Sequence, residues 1–95
     1  MTTITEIKRR NAEAGHYFFS EDTMRFFASR VSRTTYGDYF VTSERDTHTD
    51  SPRRYTVRWS NPENGHIETV GKFGEHDNLW TALAEAKRLY LEGKP

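Results

Sequence analysis

Cysteine is absent from the 95 residues. That absence excludes disulfides, thiolate nucleophiles, cysteine-ligated zinc and iron–sulfur clusters together, and it suits a reducing compartment. Long apolar runs are missing too. The N-terminal stretch MTTITEIKRR lacks the apolar core of a secretory leader, and no segment approaches the length needed to cross a bilayer, so a soluble cytoplasmic protein is expected. Neither sign of charge prevails: 14 basic residues face 14 acidic ones, and no global field draws the chain toward nucleic acid or membrane. Glycine and proline number only 6 and 3 and fall at turns and element ends, with no glycine-rich phosphate loop and no GxSxG. No paired-carboxylate setting stands out either. A non-enzymatic protein without cofactor or metal is the expectation.

What the chain does have is aromatic side chains: six Phe, five Tyr and two Trp in a sequence that is only 34 % hydrophobic. A chain this short forms one domain, residues 1–95, with a small core, so each buried side chain must contribute a large area.

Thr3 and Glu6 have the spacing of a capping box, which predicts a helix over about residues 4–14. Its apolar stripe, Ile4, Ile7 and Ala14, is thin, and Lys8, Arg9 and Arg10 load it with charge, so residues 1–14 are expected to pack loosely or to await a partner. Gly15 closes it. In GHYFFSEDTMRFFASR, Ser20 is an N-cap, Glu21 and Asp22 favour the positive helix end, and Phe19 with Met24 forms a hydrophobic staple. Met24, Phe27, Ala28 and Val31 then recur at i, i+3, i+4 and i+7, one predicted buried helix face. Phe26 falls off that stripe, in line with Asp22 and Arg30, and Phe18 precedes the staple. These two aromatics have either an interface role or a place in the core against the first helix.

From residue 38 the period shortens. DYFVTSER is rich in aromatic and β-branched residues, and RRYTVRWS alternates, with Tyr55, Val57 and Trp59 on a dry face and Arg54, Thr56 and Arg58 on a wet one. NPENG then turns the chain into HIETVGKF, giving a hairpin across residues 54–72. With Ser60 opposite His66, Arg58 would face Glu68. SRTTYG is a further short strand or a turn, and DTHTDSP a loop. DNLWTALAEAKRLYLEGKP is a helix capped by Asp77 or Asn78. It has Leu79, Leu83, Ala86 and Tyr90 on one face, Ala82 and Leu89 beside them, and Gly93 and Pro95 at its end. The expected fold is a two-layer α+β domain. An antiparallel sheet of three or four strands carries the helices on one face, in the order α-α-β-β-β-α.

Chemistry is sparse. His16, His48, His66 and His76 fit no HExxH-type spacing. Asp46, His48 and Asp50 share one side of an extended DTHTD segment and could offer oxygen and nitrogen to a metal, although a solvated loop is the expected state. Glu75, His76 and Asp77 read as a loop with an N-cap. The surface remains. Phe26 with Arg30, and next Phe18, is the expected protein-binding anchor, because exposed aromatics beside arginine dominate interfaces. In the alternative reading, Arg54, Arg58 and Lys72 make a basic sheet face for duplex DNA.

The stretch from RRYTVRWS to AKRL resembles the strand-strand-strand-helix modules of AP2-type and integrase arm-binding domains, which would imply DNA binding. The segments NAEAGHYFFSEDTMRFFASRV, YFVTSER, RRYTVR and IETVGKF together resemble a family of small proteins carried by bacteriophages and other bacterial mobile elements. That resemblance implies an accessory protein that binds a host protein or ribonucleoprotein complex stoichiometrically, blocking of a CRISPR-type defence complex being one form of it. It supplies no catalytic residues.

Overall fold

The computed structural model describes residues 2–93; Met1, Lys94 and the expected helix terminator Pro95 lie outside the described residues. Three helices and four strands follow in the order α1 (Ile4–Glu13), α2 (Glu21–Phe26), β1 (Arg30–Val31), β2 (Tyr39–Glu44), β3 (Arg54–Ser60), β4 (Ile67–Val70) and α3 (Leu79–Leu91). The strands form one antiparallel sheet in chain order, β1-β2-β3-β4.

The helix starts follow the capping chemistry of the sequence. Thr3, Ser20 and Asn78 are extended residues whose side chains accept from the backbone N–H groups of Glu6, Thr23 and Thr81, each supplying a partner to a donor that the helix leaves orphaned. Between the two expected caps of α3, Asn78 takes the role.

The α+β class, the antiparallel sheet and the helix placement along the chain match the sequence reading, with a fourth strand at Arg30–Val31. The layering differs. Alternate residues of a strand point to opposite faces. Tyr39, Val41 and Val57 cluster with Ala82 and Ala86 of α3, whereas Phe40 clusters with Ile7 of α1 and Ile67. Helices therefore cover both faces rather than one, α3 on the first and α1 with the Phe18–Phe19 segment on the second.

That second layer exists because α1 is anchored despite its thin stripe. Ile7 and Asn11 are buried. The Asn11 amide donates to the Gly65 carbonyl at 2.9 Å, and the Arg10 guanidinium donates to Asp38 Oδ1 at 3.1 Å and Ser60 Oγ at 3.0 Å. Polar contacts to the hairpin and to Asp38 supplement the thin apolar stripe, so that within residues 1–14, expected to pack loosely, the helix Ile4–Glu13 is held at Ile7, Arg10 and Asn11.

α2 is shorter than its sequence period suggests. The chain leaves the helix at Phe27, and Ala28 takes the left-handed conformation (φ 46), unusual for a residue with a side chain. The reversal is held by Ser29 N–H donating to the Met24 carbonyl at 2.7 Å and by Arg53 donating to the Ala28 carbonyl at 2.9 Å. Met24, Phe27, Ala28 and Val31 consequently do not share a helix face, and Phe27, expected in the core, is 39 % exposed.

The β3–β4 hairpin turns where expected, through Asn61 to Gly65, but one residue tighter. Asn61 N–H donates to the His66 carbonyl, Ser60 pairs with Ile67, and Arg58 stands opposite Thr69 rather than Glu68. Gly65 has φ 72, and a Cβ there would meet the Arg10 carbonyl oxygen at 2.7 Å, so glycine is required both by the turn and by the close approach of α1.

Candidate protein-binding site

The face of the sheet opposite α3 is polar at its centre. Thr42, Glu44, Thr56, Arg58 and Ser60 project there, and all are buried. Arg58 Nη2 donates to Glu44 Oε1 at 3.1 Å, Arg58 Nε to Thr42 Oγ1 at 2.9 Å, and Arg58 Nη1 to the Thr69 hydroxyl. Glu44 accepts in addition from the Thr42 and Thr56 hydroxyls. Thr56 Oγ1 takes a further bond from Gly74 N–H at 2.8 Å. Among the described residues no buried side-chain nitrogen or oxygen lacks a partner. Such a network tolerates no missing member, because each charge is deprived of water and depends on the others.

Over this network lies a row of aromatic rings. The Arg58 guanidinium carbon sits 5.3 Å from the Phe18 ring centroid and 5.6 Å from that of Phe73, cation–π distances. Phe73 contacts Phe27 at 5.6 Å between centroids, and Phe27 meets Phe26 edge-on at 4.6 Å. From the buried arginine outward the rings emerge into solvent, Phe73 being 53 % and Phe26 71 % exposed. Local backbone presents them. The Ala28 reversal turns Phe26 and Phe27 out of the core, and Phe73 rides a tight turn between Gly71 and Gly74, both at positive φ. Beside Phe27 and Phe73 opens a cleft of about 230 Å³, completed by Arg45, Asp46, Pro52 and Arg54.

The expected site residues are distributed unevenly. Phe26 is exposed as anticipated. Phe18 is half-buried, stacked edge-on with Phe19 and packed against the Ile7–Phe40–Ile67 cluster, so it belongs to the core. Arg30 is not aligned with Phe26 on a helix; it pairs with Ser43 in β1, on the α3 side of the sheet. Of the basic trio, Arg58 is buried rather than wet. Arg54 is exposed, but its guanidinium is bound to the Gly74 and Glu75 carbonyls, and Lys72 is exposed beyond β4. The three do not make one basic face. Arg53, beneath the Ala28 reversal, is held below the ordinary guanidinium pKa by burial and then by neighbouring Arg30.

No group of three or more potential ligands is gathered for a metal among the described residues, and Asp46 accepts from the His48 backbone N–H at 2.9 Å. Sequence reasoning missed Phe73, Phe27 and Arg45. Its available signal for Phe73 was GKFG, an aromatic confined to a two-residue span between glycines, where no strand or helix could bury it.

A family of unknown function, DUF7447, matches residues 3–87, and the chain belongs to that family. No curated protein and no solved structure matches it.

Proposed function

We propose that this DUF7447 chain acts without catalysis, by stoichiometric binding to another protein, with Phe26, Phe27 and Phe73 as its docking surface. The observation that supports this reading is the contiguity of three solvent-facing phenylalanines, Phe27 touching both Phe26 and Phe73. Exposed aromatics that adjoin one another incur a hydration cost that a partner removes, and aromatic anchors contribute most of the energy in interfaces. The buried Arg58–Glu44 network beneath them fixes the platform in advance, which lowers the ordering cost of association. The resemblance to phage and mobile-element proteins extends the proposal to a host complex, with inhibition of a CRISPR-type defence effector as its specific form. The duplex-DNA reading receives less support, because Arg58 is enclosed and its donors are occupied.

The test is affinity purification of tagged wild type and of a Phe26→Ser/Phe73→Ser variant from a bacterial host, each with and without nuclease. A stoichiometric protein partner, retained after nuclease and lost in the folded variant, is expected. Capture that survives the double substitution, or that vanishes with nuclease, would overturn the reading.

A further inference from the structure

The cleft beside the aromatic row has a chemistry that narrows the partner. Its volume, about 230 Å³, falls below the range of small-molecule and cofactor sites and is suited to a single side chain. Phe27, Phe73 and Pro52 supply apolar walls. Its charges are unbalanced. Glu44 at the base is neutralised by Arg58 at 3.1 Å, which leaves Arg45 and Arg54 against Asp46 alone. Among the described residues, neither Arg45 nor Arg54 is within ion-pair distance of a carboxylate. Arg54 bonds only to the Gly74 and Glu75 carbonyls. An apolar slot in which two guanidinium groups, neither paired with a carboxylate, outnumber the single uncompensated acid Asp46 is complementary to an apolar side chain flanked by acids, since arginine pairs with carboxylates through a charge-assisted, bidentate fork.

We infer that this cleft receives one apolar side chain from an acidic segment of the partner protein, with Arg45 as the principal charge contact and Arg54 as the second. The inference rests on the protein-binding reading above and adds to it the chemical character of the partner. An oligonucleotide stacking its bases on the same rings is the competing occupant. The absence of a continuous basic track places it second: Lys72 and Arg54 are exposed at one end of the β3–β4 pair, but Arg58, four residues further along β3, is enclosed.

The test is a titration of the isotopically labelled full chain, followed by backbone amide resonances, with four probes. Two are pentapeptides with a central phenylalanine, flanked in one by glutamates and in the other by lysines. The third replaces that phenylalanine by glycine in the glutamate peptide, and the fourth is an oligothymidylate. Saturable shifts at Arg45, Phe73 and Gly74 are expected from the glutamate–phenylalanine peptide, with affinity at least about tenfold above the lysine and glycine versions. Arg45→Glu, at a side chain with no hydrogen bond or ion pair among the described residues, should invert the preference between the acidic and basic peptides. Equal binding of the two charge forms, tighter binding of the oligonucleotide, or no saturable shift from any peptide would overturn the inference. The purification separates the two levels. Undiminished capture by Arg45→Glu alongside loss in Phe26→Ser/Phe73→Ser would remove the acidic partner and leave protein binding standing. Capture by both variants would remove the phenylalanine docking surface, and the inference with it.

Discussion

The two faces of the sheet are built from the same two strands and solve burial in opposite ways. Against α3, Tyr39, Val41 and Val57 meet Ala82 and Ala86, and small helical residues let the layers close on an apolar core. On the other side the central positions are Thr42, Glu44, Thr56, Arg58 and Ser60, just as buried, closed by mutual hydrogen bonds and a roof of phenylalanines. The first face is cohesive through contact area, which is tolerant of small changes in shape. The second is cohesive through completeness, because each polar group is satisfied only while the others are present. A face of the second kind holds its roof rigidly without needing to cover it.

The largest expected effect comes from breaking that completeness. Arg58→Leu leaves the Glu44 carboxylate enclosed and unpaired, and should cost about 3–5 kcal/mol in urea unfolding. Glu44→Leu combined with Arg58→Leu should recover most of the loss, as two apolar residues replace two charges. If the double variant is no better than the single one, the network is not the organising element of that face. Ile7→Ala is expected to cost about 2–4 kcal/mol, read from the same denaturant curves, because the residue is fully buried between α1 and Phe40. A cost below half a kcal/mol would mean that the second layer is not docked in solution. Gly65→Ala should lower stability by about 1–3 kcal/mol, through its positive φ and the contact with the Arg10 carbonyl. Phe26→Ser, at the rim, should change stability in thermal unfolding least, within about 0.5 kcal/mol, while removing partner capture. Unfolding of that variant would assign Phe26 to the core.

This contrast also explains what could be read from the sequence. The alternation in RRYTVRWS placed Tyr55, Val57 and Trp59 on one side correctly, since period-two patterning depends only on the strand itself. It could not tell a wet face from an enclosed polar one, because a threonine or arginine is equally satisfied by water or by a distant carboxylate. Glu44 lies 14 residues from Arg58, across a loop. The helical period through Met24, Phe27 and Val31 misled for a related reason. The break at Ala28 carries no glycine to announce it and is held from outside by Arg53. The one-residue error in hairpin register came from counting the turn as ending the strand at Ser60, when Asn61 still bonds to His66. At the candidate site, Phe26 was legible as an aromatic without a stripe. Its neighbours Phe73 and Arg45 come together with it only through tertiary structure.

The anchoring of α1 has a consequence for synthesis. Its principal polar partners are far along the chain, at Ser60 and Gly65, the latter 54 residues from Asn11. A ten-residue helix is marginal in water on its own. At about 5–20 residues added per second, α1 must therefore wait several seconds after its own translation before its dock exists. During that interval Ile4, Ile7, Phe18 and Phe19 lack the Phe40–Ile67 surface that later covers them, and are open together to a ribosome-bound chaperone.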